Sequence, residues 1–213
     1  YNAINAALSS AASVNLQYAT GSTTWANQLS ITNVESWNVL AGSSTNDLLI
    51  VRGTGNQYHG GAGSSDALYA NWSAATNDIT WVNAPARIQT VNGVTLSGIA
   101  RLFLATGSGN DNIDNVGGGV NHNDSRTGAG NDTINAGAGN DTVDAGAGND
   151  SIIGSGGVDV VSAGDGDDVI ITGGSTGTID GGSGSDRLDI SAIAAGALTY
   201  TRWEVRNSAG AVV

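Results

Sequence analysis

The chain has 213 residues, a formal net charge of -12, 33 glycines, one proline, and neither cysteine nor methionine. Its seven basic residues, all arginine and scattered, exclude a basic nucleic-acid surface. No stretch approaches the roughly 18 apolar residues of a membrane span, and without cysteine there is neither a disulfide framework nor a thiolate metal site. Leu, Ile, Val and Phe make up only about 21 % of the chain, near the level at which high charge implies disorder. Composition therefore admits a disordered acidic chain, or a thin repetitive fold held by something besides a large core.

In chain order, residues 1–41 read as an N-terminal β segment. Tyr1 shows no initiator Met and no signal-peptide pattern, so a processed product or a segment of a longer protein is expected. Residues 1–12 are the best candidate for a short helix, followed by a strand over 14–18. Residues 33–47 form an alternating strand that runs into a turn at Asp47. Residues 42–70 contain two imperfect copies of a Gly-rich turn followed by a short strand, at Asp47 and Asp66, with Asn56 and Gln57 where an acid would stand between them. Residues 71–105 are a bridging β segment whose end repeats the strand-into-turn pattern of 33–47. Residues 106–189 carry the main repeat, and 190–213 begin a further β segment. The aromatics Trp25, Trp37, Trp72, Trp81 and Trp203 fall outside the repeats, and core packing over the flat end or side of the repeat array is expected of them in preference to carbohydrate binding.

The main repeat decides the fold. From Thr127 to Asp189 run seven contiguous nonapeptides, beginning TGAGNDTIN, AGAGNDTVD, AGAGNDSII. Asp132, Asp141, Asp150, Asp159 and Asp168 recur every nine residues, Gly177 fills the next slot, and Asp186 resumes the series. Two residues after each slot stands an aliphatic: Ile134, Val143, Ile152, Val161, Ile170, Ile179 and Leu188. An eighth unit with Asp111 and Ile113 lies upstream, separated by an irregular stretch over 115–126. Six Gly-rich residues suit a tight turn with positive φ, and the last three suit a short strand with its middle side chain inward. One inward aliphatic per nine residues makes a core only when units stack. Each turn is expected to point a carboxylate outward at the same height in every coil. Stacked carboxylates repel, so a hard divalent cation held by carboxylates and backbone carbonyls is expected between turns, Ca²⁺ rather than Zn²⁺.

These units resemble the Gly-Gly-x-Gly-x-Asp-x-aliphatic-x signature of the RTX (repeats-in-toxin, hemolysin-type) family. The resemblance implies an all-β fold: a calcium-bound right-handed parallel β-roll (β-solenoid) with interspersed non-repeat β segments. It implies two nonapeptides per 18-residue coil and several Ca²⁺ ions between turns on the same side. One side then joins Asp132, Asp150, Asp168 and Asp186, and the other joins Asp141 and Asp159, with a weak or empty site at Gly177. The implied metal ligands are these six Asp residues with Asp111, and the carbonyls of Gly128, Gly130, Gly137, Gly139, Gly146, Gly148, Gly164, Gly166, Gly182 and Gly184. Replacement of the first Gly of a unit by Thr or Ala is expected to matter little. Residues 42–70 resemble a short degenerate roll, with Asp47 and Asp66 as poorer ligands. The alternation of rolls and β segments resembles large secreted bacterial RTX surface or structural proteins, with Val34 and Glu35 matching a Val/Ile-Glu pattern and Ala100 departing from it.

No enzyme signature accompanies the repeat, and no catalytic residue is assigned. There is no His-Glu-x-x-His, Ser175 in Gly-Gly-Ser-Thr-Gly reads as a turn residue, and His122 reads as a solvated loop residue rather than an extra ligand. The expected function is an extracellular calcium-binding structural module that folds on Ca²⁺ binding and stacks into a surface layer, adhesin stalk or filament. Head-to-tail self-association, or association with the rest of a longer chain, is expected because no polar cap is evident. The alternative is a calcium-dependent secretion and folding domain of a secreted RTX enzyme (protease, lipase, epimerase) or toxin. Either way a secreted or cell-surface bacterial location is implied, by type I secretion, with no nucleic-acid partner and no membrane insertion by this segment.

Overall fold

The computed structural model of the protein describes residues 17–18, 39–41, 46–51, 54–61, 64–173 and 176–191. The expected helix over 1–12, Val34 and Glu35, Trp25, Trp37, Trp203 and Ser175 lie outside the described residues, as does most of both terminal β segments.

Short parallel strands stack into two walls of a β-solenoid, as the repeat predicts. The first wall has seven strands: Leu48–Ile50, Ala67–Asn71, Arg101–Ala105, Asp124–Ala129, Thr142–Ala147, Val158–Asp165 and Thr176–Ser183. The second has six: Thr80–Val82, Asn112–Asp114, Thr133–Asn135, Ser151–Ile153, Val169–Ile171 and Arg187–Asp189. A third sheet joins Gln17–Tyr18, Val39–Ala41, Gln57–His59, Val94–Ser97 and Gln89–Val91, and contains the antiparallel pairings among the described residues. The described residues hold one turn of 3₁₀ helix, Val116–Gly118, in keeping with a sequence that is rich in Gly and has two Glu and no Lys.

The stacking follows the register of the repeat. Ile134, Ile152 and Ile170 face one another in the second wall, and Val143, Val161 and Ile179 in the first. Adjacent side chains on a strand point to opposite faces, so the aliphatics from Ile134 to Ile170 turn inward while Thr133, Thr142 and Asp144 stay at the surface, and Leu188 in the last described coil is exposed. The first residue of a unit also enters the core: Ala136, Ala145 and Ala163 are buried beside Ile134, Val143, Ile152, Val161 and Ile170. Glycine is dictated by coil-to-coil distance. A Cβ on Gly146, whose φ is +108°, would lie 1.9 Å from the Gly128 carbonyl oxygen one coil back.

The N-terminal coils are filled differently. Leu49, Tyr58, Leu68, Trp72, Trp81, Val94, Leu96, Leu102, Leu104 and Ile113 belong to one continuous core, crossing the expected boundaries at 70/71 and 105/106. The rings of Trp72 and Trp81 are 6.2 Å apart and tilted by 45°; both side chains pack in the core, as expected, Trp81 on the end strand of the second wall opposite Ile113.

The stretch over 115–126, expected to be irregular throughout, contains a regular repeat unit. Three inserted residues, 115–117, start the 3₁₀ turn. Residues 118–126, GGVNHNDSR, then occupy a full unit: Val120 bridges Ala138, and Ser125 lies opposite Val143. Asn123 in the acid slot and Ser125 in the aliphatic slot conceal this unit in the sequence.

Ile152 is fully buried and Val160 half exposed, both on strands. Replacing Ile152 by Ala is expected to cost about 2–5 kcal/mol in denaturant unfolding at saturating calcium, and replacing Val160 by Ala well under about 1 kcal/mol. Equal costs would contradict the inward column.

Candidate metal centre

Each acid slot of the repeat lies just before a strand or, at Asp159, one residue inside it, where a backbone N–H leaves the turn. Where the slot one coil later holds an acid, that N–H donates to its Oδ1. Asp132 donates to Asp150 at 2.8 Å, Asp150 to Asp168 at 2.8 Å, and Asp168 to Asp186 at 3.1 Å. On the other column Asp141 donates to Asp159 at 2.9 Å. The pairing therefore follows the two columns expected from 18-residue coils. The ladder extends across irregular coils too: Asp111 donates to Asp132 over 21 residues and Asp47 to Asp66 over 19. Sequence spacing alone had not joined Asp111 to Asp132.

The carboxylates do not point outward, as expected, but are buried between turns. Asp66, Asp111, Asp132, Asp141, Asp150, Asp159 and Asp168 are each at most 2 % exposed, whereas Asp186 in the last described coil is exposed. Their charge-assisted hydrogen bonds occupy Oδ1. Oδ2 of all seven buried groups has no protein partner. A buried carboxylate oxygen without a partner is costly, and here such oxygens recur coil after coil. Burial accordingly pushes the carboxyl groups of Asp66, Asp141 and Asp150 up to about 6, above the ordinary value of 3.8. Burial also raises Asp111, Asp132 and Asp168, against the lowering effect of the N–H each accepts.

The backbone completes the cradle. Gly128, Gly130, Gly137, Gly139, Gly146, Gly148, Gly164, Gly166, Gly182 and Gly184 all have positive φ. A Cβ at Gly148 would come within 2.0 Å of the Gly130 carbonyl oxygen, so carbonyls of one coil face bare glycine in the next. Among the described residues no three acidic or imidazole side chains converge on one point. The donor set is thus facing carboxylates with carbonyls, all hard oxygens, and it fits Ca²⁺.

Two features escaped the sequence reading. The residue before each slot builds a second, exposed ladder running the opposite way: Asn131, Asn149 and Asp167 accept the N–H groups of Asn149, Asp167 and Ser185 at 2.8–2.9 Å. The recurring Asn-Asp pair was its signal. His122 belongs to this ladder, its Nδ1 accepting the Asn140 N–H at 2.8 Å, so it is a coil residue rather than a loop residue. Thr in the first place of a unit does matter: buried Thr106 and Thr127 donate from Oγ1 to the Thr127 and Ala145 carbonyls at 2.9 and 3.0 Å. Asn56, which the sequence already places where an acid would stand, is buried just before Gln57–His59.

The RTX calcium-binding nonapeptide repeat (4 copies) matches residues 117–152 and again 153–188. These coils are RTX calcium-binding repeats. The first match begins within the insertion and takes in the unit at 118–126, which the ladder also includes. No curated protein and no solved structure matches the chain. RTX repeats bind calcium, and the β-roll they form is a structural calcium-binding fold that takes several ions.

Two predictions follow from this geometry. Asp150 serves two junctions, whereas Asp144 is exposed outside the slots. Asp150→Asn should raise the calcium midpoint about tenfold or more, and Asp144→Asn should leave it within about twofold, as read by calcium titration. Because buried Asp141 and Asp150 titrate near 6, the calcium-free fold binds more protons than the unfolded chain between about pH 4 and 6. Its stability should therefore be greatest at the acid end and fall as pH rises through about 6. Thermal melts in chelator should show that fall, and saturating calcium should abolish it.

Proposed function

We propose that the chain is an extracellular calcium-binding structural module whose coils are joined by Ca²⁺ and which stacks into a surface layer, adhesin stalk or filament. The observation that carries this reading is the row of buried carboxylates whose Oδ2 atoms have no protein partner. Asp111, Asp132, Asp150, Asp168 and Asp186 would hold ions along one column, and Asp141 with Asp159, and Asp47 with Asp66, along the other. The turn carbonyls from Gly128, Gly130 and their counterparts up to Gly182 and Gly184 would complete the oxygen shell. Bound calcium supplies the positive charge that the facing carboxylates lack. Gly177 stands opposite Asp159, so that junction has one carboxylate and would be weaker.

The role follows from when the charge is satisfied. Extracellular calcium modules bind at about 10⁻⁴ to 10⁻³ M, far above cytosolic calcium. The repeats would leave the cell poorly folded and close outside it, as type I secretion of RTX proteins requires. Structural use is supported by the walls themselves: parallel strands repeat along one axis at about 4.8 Å per coil, which makes a rod that can be extended by a further copy. Nothing in this reading requires the module to be an enzyme.

Circular dichroism at about 1–5 mM Ca²⁺ should show a β spectrum that loses the contribution of the main roll in EGTA near neutral pH, with calcium found by elemental analysis of the folded protein. An unchanged spectrum in EGTA and no bound calcium would sink the metal-coupled reading. Electron microscopy in calcium should show ordered assemblies that dissolve in chelator. A calcium-loaded protein that stays monomeric at all concentrations would remove the stacking role and leave the calcium module.

A further inference from the structure

Asn123 occupies an acid slot one coil before Asp141, and it is 4 % exposed. Its side chain is oriented by its neighbours. The Leu102 N–H donates to Oδ1 at 2.9 Å, so the oxygen does there what a carboxylate Oδ1 does elsewhere in the ladder. Nδ2 then points to the opposite side, where it lies 3.2 Å from each of three oxygens: the Asn121 carbonyl, the Ala136 carbonyl and Asp141 Oδ1. The reversed amide would set its oxygen against three oxygens and its nitrogen against an N–H, so the orientation is chemically determined. Two coils thus contribute two carbonyls and one carboxylate around a single point, the donor types of a hard-cation shell, and that point is filled by a side-chain NH₂.

We infer that the junction between Asn123 and Asp141 is closed by the Asn123 amide, which takes the place of a cation, and that this junction binds no calcium. The inference rests on the reading of the two-carboxylate junctions as calcium sites. The amide carries two polarised hydrogens, shares them among three acceptors and needs no second negative charge. An ion entering here would have to displace all three contacts and would find one carboxylate instead of two. Asn123 therefore sets where calcium binding begins in this column of the main roll: the Asp141–Asp159 junction is the first to take an ion. The same side chain also joins the main roll to the coil of Leu102, which packs in the large apolar core, so calcium-dependent coils stack on one that is closed without it.

The test is calcium stoichiometry, measured on the full chain by equilibrium dialysis at saturating Ca²⁺. Asn123→Asp restores the second carboxylate and should bind one more ion per chain than the unsubstituted protein. Asn123→Ala removes the amide without adding charge and should bind the same number. An Asn123→Asp protein with unchanged stoichiometry, or an Asn123→Ala protein that binds one ion fewer, would overturn the inference, the second because it makes Asn123 a ligand. Hydrogen exchange of the unsubstituted protein in chelator gives an independent measure. The Leu102 and Asn123 N–H groups should stay at least about tenfold more protected than the Asp132 and Asp150 N–H groups, since an amide donor fills their junction; equal loss would overturn it. If the unsubstituted chain binds no calcium at all, the function proposed above falls, and this inference with it. If it binds calcium and the variants behave otherwise than stated, only the inference falls.

Discussion

The hydrogen bond from each slot N–H to the carboxylate of the following coil governs the rest of the structure. It holds adjacent coils in register, and it draws the carboxylate into the space between them. Only one oxygen is satisfied by this bond; the other is left buried in every regular coil. The net worth of a buried hydrogen bond is about 1–3 kcal/mol when one partner is charged, less than the cost of desolvating an uncompensated carboxylate. A ladder of such bonds is therefore self-consistent only with protons or cations supplied from outside. That single constraint accounts for the upward shift of the buried acids, for a donor set suited to an oxygen-loving metal, and for a core so thin that little more than alanine accompanies its aliphatics.

The two ladders explain why neighbouring residues of the Asn-Asp pair differ in tolerance. Successive N–H groups leave the turn in opposite directions along the stack. The first is received by an exposed side chain of the preceding coil, where any acceptor in water will serve: Asn, Asp and His all do so. The second is received in the interior by the following coil, where, in the function proposed above, the acceptor would also contribute to the cation shell. Asp would fill that place wherever an ion is to be held, and Asn123 where an amide takes the ion's place.

Much of this was legible in the sequence. The solenoid, its two columns and the pairing of Asp132, Asp150 and Asp168 follow from the nine-residue period, because phase-locked Asp and aliphatic positions have no use in an unstacked chain. The coil at 118–126 was hidden because Asn123 and Ser125 depart from the pattern at both diagnostic places, while its backbone still meets its neighbours in register. Direction was also not legible: a period says that carboxylates align, but not that an N–H from the preceding coil turns them inward. Nor does it show that Thr106 and Thr127 differ from alanine in the same place, since that depends on a carbonyl one coil away.

The two halves of the described chain are stable for different reasons. Around Trp72 and Trp81 the coils bury large apolar side chains against a third sheet, and hydrophobic burial of this kind is indifferent to calcium. From Ile134 to Ile170 each half-coil buries one branched aliphatic, with Ala136, Ala145 and Ala163 between them, and its acids carry most of the remaining cost. Calcium therefore acts on the chain unevenly. The N-terminal coils need it least, and the Asn123 amide lies at the border between the regimes, where an apolar core gives way to charge. The net charge of -12, which by composition alone resembles a disorder signal, is concentrated where the core is thinnest. There, in the function proposed above, each coil would gain order from an ion shared with its neighbour, so that calcium would set the length of ordered rod rather than the existence of a fold.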